Sequence, residues 1–194
     1  MAFLSNDALN QMGFKYLGNN VKISDRAAIH NAKDISIGHN SRIDDFCVIA
    51  GKVNIGNNVH IAVFCNIAGG TEGITFDDFS GLAYGCHVFS QSDDYLGRTL
   101  TNPTVPAQFK METKKPVHIG RHCIVGTSSL IFPGVHLAEG CSVGAMSMVT
   151  KSTEEWMIYS GVPAKKLKSR RKELLELEQQ YLAMFQPGMS TNFK

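Results

Sequence analysis

Seven histidines, His30, His39, His60, His87, His118, His122 and His136, are the side chains best suited to take or give a proton near neutral pH. None falls within residues 90–116, SQSDDYLGRTLTNPTVPAQFKMETKKP. That polar stretch carries two adjacent carboxylates, Asp93 and Asp94, together with Tyr95, Asn102 and Phe109. Lys165, Lys166, Lys168, Arg170, Arg171 and Lys172 put six of the 19 basic residues into eight positions. Such a cluster either binds phosphate as point charges or is the solvated start of a helix. The five cysteines are an odd number with no CxxC pair, and their spacing fits no zinc site; they read as reduced thiols.

The elements that position these groups follow from a period of six. Every sixth residue from position 37 gives Ile37, Ile43, Ile49, Ile55, Ile61 and Ile67. From 119 the same step gives Ile119, Val125, Ile131, Leu137, Val143 and Val149. With 43% of the chain apolar, twelve hits in twelve have a chance of about 4 in 100,000. Shorter runs are Ile23, Ile29, Ile35 and Phe76, Leu82, Val88. Four places after each aliphatic residue of the two long runs, and after Phe76 and Leu82, sits a small or β-branched one, and all five cysteines fall in that column. Six is not a helical period. It fits short strands that turn after each inward residue, three to an 18-residue triangular coil, with coils stacked so that like residues form columns. The cysteines then sit at corners as small buried hydrophobes.

The register slips at Ile35–Ile37 and again at 68–73, as small corner insertions would produce. The large break, 90–116, is an excursion loop of functional type. The expected division is a β-helix domain at 1–150 containing that loop, a linker and helix at 151–185, and a tail at 186–194. Within 166–185, Leu167, Leu174, Leu177 and Tyr181 recur at helical spacing. This helix is expected to cap the open end of the stack or to pack on a neighbouring subunit.

Composition narrows the function. The chain has 194 residues, enough for one domain with a real core, and a formal charge of +2, too small for a general nucleic-acid binder. No apolar run reaches the ~18–20 residues of a membrane span. The N-terminal residues lack the pattern of a secretory signal, so a cytoplasmic location is expected.

The repeat resembles the hexapeptide-repeat family, whose members fold as left-handed parallel β-helices. The stretch CIVGTSSLIFPGVHLAEGCSVGAMSMVTKS, followed by YSGVPAKKLKSR, is similar to the nodulation and galactoside-type sugar acetyltransferases of that family. The resemblance implies acetyl-CoA as co-substrate and no metal. Matched positions imply that Thr127, Ala145, Thr150, Lys151, Lys165 and Lys168 meet coenzyme A, with backbone amides near Gly144-Ala145 on the pantetheine arm and the lysines on the phosphates. SQSDDYLGRTLTNPTVP resembles enzymes that acetylate sugars during surface-polysaccharide assembly, among them nucleotide-linked amino deoxy sugars. It also implies a homotrimer with sites between neighbouring coils. In the galactoside and maltose enzymes the general base is a histidine of the excursion; here Asp93 stands near that place. The expected base is therefore His60, then His87. Asp93 or Asp94 is expected to orient the imidazole or hold the sugar, with Asn66 as a further sugar contact. The alternatives are a sugar O-acetyltransferase of the galactoside or maltose type, a non-catalytic scaffold, and a γ-type carbonic anhydrase with zinc on His87, His118 and His122.

Overall fold

A computed structural model describes residues 1–185. The chain winds as a three-sided parallel β-solenoid, and the hexad strands sort into one sheet per side. The first face stacks Tyr16–Leu17, Ile35–Ile37, Val53–Ile55, Ile74–Phe76, Val117–Ile119 and His136–Leu137. The second stacks Lys22–Ile23, Arg42–Ile43, His60–Ile61, Gly81–Leu82, Ile124–Val125 and Ser142–Val143, and is extended by Met157–Ser160 and Lys165–Ser169. The third stacks Ala28–His30, Val48–Ala50, Asn66–Ala68, His87–Phe89, Leu130–Ile131 and Met148–Val149.

Parallel in-register pairing turns the sequence repeat into columns. On the second face Ile43, Ile61, Leu82, Val125 and Val143 stack directly, and on the third Ile49, Ile67, Val88, Ile131 and Val149 do so. All ten are buried. Each such side chain contributes about 1.5–3 kcal/mol of burial.

The three corners have different tasks. The first, between the first and second faces, turns through left-handed residues at Asn20, Asn40, Asn58, Phe79 and His122. The second turns at Phe46, Phe64, Gly85, Ser128 and Met146. The third corner absorbs every insertion: the 3-10 turn Ala32–Asp34, the segment 69–73 and the excursion 90–116. The slips in the repeat are these insertions. Cys47, Cys65 and Cys86 stack at the second corner and Cys123 and Cys141 at the first, all free and buried. Burial pushes the Cys123 thiol up to about 12.

The C-terminus departs from expectation. The helix spans Leu174–Phe185 rather than 166–185, because Lys165–Ser169 is a strand paired antiparallel with Met157–Ser160. Met157–Ser160 pairs in turn with Ser142–Val143, so the hairpin satisfies an open sheet edge, and that gain overrides helical spacing. The outer strand is fully exposed and carries Lys165, Lys166 and Lys168, which discourages further edge pairing. The helix does not cap the stack. Trp156, buried beside Gly140, closes that end, while Leu9 of the N-terminal helix Asn6–Gln11 closes the other. The expected tail at 186–194 lies outside the described residues.

Candidate functional site

The outward row of the second face reads Arg42, His60, Gly81, Ile124 and Ser142 in successive coils. Asp44, two places beyond Arg42, is buried and binds both Arg42 and His60: its Oδ1 accepts from Arg42 Nε at 2.6 Å, and its Oδ2 lies 2.8 Å from His60 Nε2. A carboxylate only accepts, so His60 Nε2 carries a hydrogen, and in the neutral imidazole the lone pair is on Nδ1. The imidazole is half exposed. With Nε2 held on Asp44, its Nδ1 has no hydrogen-bond partner among the described residues.

His60 opens onto a groove of about 670 Å³. Its floor is Ala62, Gly81 and Ala83, and its walls are Tyr84, Ile124 and the C-terminal helix through Leu174, Leu177 and Tyr181. The helix is fastened along the side of the stack. The Glu178 carboxylate bridges Arg121 and His122, with His122 Nε2 at 3.0 Å, and the Tyr181 hydroxyl donates to Asn58 Oδ1 at 3.0 Å. Arg170 Nη1 donates to the carbonyls of His122 and Gly140 at 2.6 and 3.1 Å. His122 is thus a buried, satisfied corner residue that also stacks on Phe79.

The other candidates fall elsewhere on the prism. His87 and Asn66 are register partners on the outside of the third face, both exposed, and the His87 imidazole makes no hydrogen bond among the described residues. One chain alone therefore does not bring His60 together with His87 and Asn66. A second groove of about 600 Å³ lies at the base of the excursion, where Gln91–Ser92 pairs with Thr113–Lys114, and includes Asp93, Asp94, Arg98, Lys115, Phe132 and Thr150. Asp94 is buried and shapes the loop. It accepts from the N–H groups of Leu96 (3.1 Å) and Arg98 (2.8 Å) and from Arg98 Nη2 (3.3 Å). Burial works to raise its pKa, but these donors outweigh it and hold the carboxyl below its ordinary value. Asp93 Oδ2 accepts from the Asn102 N–H at 3.4 Å. Within one chain the carboxylate on the His60 imidazole is that of Asp44.

Thr127 and Ala145 occupy the second corner in successive coils, with the Met146 N–H donating to the Thr127 carbonyl at 2.8 Å. A Cβ on Gly126 would lie 2.5 Å from Ala145 N, so only glycine lets these turns stack. The N–H groups of Thr127 and Ala145 donate to no acceptor among the described residues. The column continues into Gly161, whose N–H donates to Ser147 Oγ at 3.0 Å and whose carbonyl accepts from Met148 N–H at 3.0 Å. Lys165 and Lys168 follow on the exposed strand. Thr150 and Lys151 stand apart from them at the third corner, both exposed. Lys151, Lys165 and Lys168 have no ion-pair partner among the described residues, whereas Lys166 is taken by Glu154 at 2.8 Å.

Among the described residues of one chain, His87, His118 and His122 do not come together. His87 is on the third face, and His122 is bound to Glu178. His118 is on the first face, 2.8 Å from Asp77 Oδ2 and stacked on His136. Two residues at the groove do not stand out in the sequence, Asp44 and Glu178. Asp44 lies 16 positions before His60, two short of a coil, which is the offset that sets it diagonally beneath. Glu178 has no such signal.

No family model matches the chain. Over 191 residues it is 40% identical to a dTDP-4-amino-4,6-dideoxy-D-glucose acyltransferase of Escherichia coli, covering 97% of each chain. A variant of AntD, an N-acyltransferase from Bacillus cereus, in complex with dTDP-4-amino-4,6-dideoxyglucose and coenzyme A, superposes with a TM-score of 0.93 at 44% identity, covering 94% of this chain and 98% of that one. AntD with dTDP and 3-hydroxybutyryl-CoA matches with the same score and identity, covering 94% and 97%. A maltose O-acetyltransferase from Clostridium difficile 630 shares the fold, with a TM-score of 0.53 at 19% identity over 86% of this chain and 74% of that one. Fold and repeat define a parallel β-helix. The chain belongs to the hexapeptide-repeat acyltransferase family.

Proposed function

We propose that this protein transfers an acyl group, acetyl in the first instance, from acyl-CoA to the amino nitrogen of a dTDP-linked 4-amino-4,6-dideoxy sugar destined for surface polysaccharide. The observation that carries this reading is AntD, 44% identical over nearly the whole chain, holding both such a sugar nucleotide and coenzyme A.

The geometry supports a direct transfer. The sugar amine attacks the thioester carbonyl carbon, a C–N bond forms, and the C–S bond breaks. His60 Nδ1 receives the proton lost from nitrogen and returns it to the departing thiolate, while Asp44 holds the imidazole in the tautomer that can do so. The free N–H groups of Thr127 and Ala145 line the pantetheine arm, and Thr150, Lys151, Lys165 and Lys168 meet the phosphates. Asn66, Asp93 and Asp94 serve the sugar nucleotide, with His87 as the second choice of base.

The active unit is a homotrimer. Phe46, Phe64, Tyr84 and Met146 form an exposed apolar line along the second corner, with Phe46 and Phe64 stacked at 5.1 Å. Such a line calls for cover by like copies. With that corner turned to a threefold axis, the second face of one chain meets the third face of the next, and His60 comes opposite Asn66 and His87. No helix among the described residues is long and apolar enough to cross a membrane. Five free thiols and an acyl-CoA donor suit the cytoplasm.

Release of CoA thiol against a panel of acceptors tests the reading. Turnover with dTDP-4-amino-4,6-dideoxyglucose and none with the 4-hydroxy analogue, maltose or galactosides is the expected result. Preference for the hydroxyl sugars would select the O-acetyltransferase instead, and no turnover with any would leave a scaffold.

A further inference from the structure

The N-terminal segment reaches the Asp44 carboxylate through Arg42. Residues 2–4 run antiparallel beside residues 23–25. The Leu4 N–H donates to the Ile23 carbonyl at 2.9 Å, the Asp25 N–H donates to the Ala2 carbonyl at 3.2 Å, and Phe3 pairs with Ser24. Ser24 stands one coil below Asp44, because Lys22 and Ile23 lie in register with Arg42 and Ile43. The pairing sets the Phe3 ring against the Arg42 guanidinium, whose Cζ lies 5.3 Å from the ring centroid, and Arg42 Nη2 donates to Met1 Sδ at 3.4 Å. Beyond Leu4 the segment is fixed by the Ser5 cap, which accepts from the Ala8 N–H at 3.2 Å, and by buried Leu9 of the N-terminal helix. A chain of contacts thus runs up the second face from Phe3 to Arg42 to Asp44 to His60 and ends in the groove.

The Asp44 side chain is 4% exposed, so water solvates its charge poorly. Facing His60 alone, that carboxylate would stabilise the imidazolium, the form with no lone pair to act as a base. Arg42 on the opposite oxygen supplies the compensating charge. It keeps Asp44 ionised and accepting, and it disfavours a second proton on His60. Arg42 is itself 45% exposed, on a long side chain for which water competes. The Phe3 face against the guanidinium limits that freedom. The other charged and titratable groups around the pair are engaged or set back. Lys22 lies two coils below His60, Asp45 is held by Ser24 and Arg26, and the buried Cys47 thiol donates to the Ala62 carbonyl. The N-terminal segment carries the Met1 amino group and, in its helix, Asp7. Across the groove Glu178 is paired with Arg121 and His122, Arg170 donates to carbonyls, the Tyr181 hydroxyl donates to Asn58, and Tyr84 forms a wall. The proposed trimer adds His87 of the partner subunit. Resting on the reading of His60 as the base, we infer that Phe3 and Arg42 are positioning residues for acyl transfer: Phe3 seats Arg42 on Asp44, and Arg42 keeps the His60 imidazole neutral at the pH where the amine reacts.

The His60 ring signals are followed by NMR against pH in the wild type, Arg42→Met, Phe3→Ala and Phe3→Trp, with His60→Ala to assign them. In the same proteins kcat for thiol release from acetyl-CoA, with one amino-sugar nucleotide, is measured at about pH 6.5 and about pH 8.5, on either side of the ordinary imidazole range. Arg42→Met should raise the His60 midpoint by about 0.5–1 pH, and its kcat at the lower pH relative to the higher should fall about 3- to 10-fold against the wild type. Phe3→Ala should move both readings the same way by a smaller amount. Phe3→Trp keeps a ring face for the guanidinium and should match the wild type. Ionisation of the amine is common to every variant and cancels, and a loss of folded protein lowers kcat at both pH values alike. A His60 midpoint that Arg42→Met leaves unmoved or lowers overturns the inference, with His60 still standing as the base if His60→Ala is inactive. A midpoint that moves in Arg42→Met and not in Phe3→Ala, or equally in Phe3→Ala and Phe3→Trp, overturns the role of Phe3. Wild-type kcat in His60→Ala overturns both the inference and the base while leaving amino-sugar acylation in place. Thiol release in none of the proteins overturns the proposed function as well.

Discussion

Exchanging Asp44 for asparagine keeps the shape of the His60 pair and removes its logic. Arg42 Nε and His60 Nε2 approach opposite oxygens of Asp44, at 2.6 and 2.8 Å. In Asp44→Asn the amide oxygen must face Arg42, which can only donate, so the amide NH2 faces His60. The imidazole then carries its hydrogen on Nδ1 and has no lone pair to offer the groove. General-base catalysis contributes about 10²–10⁴-fold, and an amine asks less of the base than a hydroxyl does, so kcat should fall about 100-fold, or ~2.7 kcal/mol in barrier. KM for acyl-CoA should stay within about threefold, because Asp44 touches neither substrate. Arg42 is nearly half exposed and can turn to water, so the melting transition should move little. His60→Ala should lose a similar factor, and adding Asp44→Asn to it should lose nothing more, because one residue acts only through the other. Thiol release under saturating substrates measures all three variants. Asp44→Asn within threefold of wild type, or fully additive losses in the double variant, would refute the pair.

Three other perturbations probe the coil. The Cys123 thiol, pushed up to about 12 by burial, stays neutral in the folded chain while the unfolded thiol ionises near its ordinary value. Stability should therefore hold below about pH 9 and decline as pH rises toward 12, and Cys123→Ala should flatten that alkaline limb in urea melts. Gly126→Val drives a side chain into the Ala145 turn and should cost about 1–3 kcal/mol by overpacking, with weaker binding of coenzyme A in calorimetry. Phe64→Glu puts a charge in the exposed aromatic line and should shift sedimentation from three chains toward one, with loss of acyl transfer.

Much of the coil was legible because its cause is local. An aliphatic residue every sixth position can be buried only by a three-sided winding, and the slips at Ile35–Ile37 and 68–73 fell at one corner because loops leave the prism there. The cysteine column was legible for the same reason. What escaped depends on distant partners. Lys165–Ser169 has helical spacing, but its backbone answers to the open edge at Met157–Ser160. The C-terminal helix binds the side of the stack through Glu178, whose partners Arg121 and His122 lie over fifty residues earlier. His60 could be named as a candidate base, yet its partner Asp44 emerges only when successive coils are laid in register. Asp93 and Asp94 stood out by type, whereas the turn that Asp94 holds in its own loop did not. In one chain His87 and Asn66 stand on a different face from His60, and only the proposed trimer would bring them opposite it.

The mass of the acceptor before and after reaction bears most directly on the chemistry. Incubated with acetyl-CoA and dTDP-4-amino-4,6-dideoxyglucose, the protein should yield a sugar nucleotide heavier by one acetyl group on nitrogen, with one free thiol released per molecule of product. An unchanged sugar nucleotide and an intact thioester, with correctly folded protein, would contradict it.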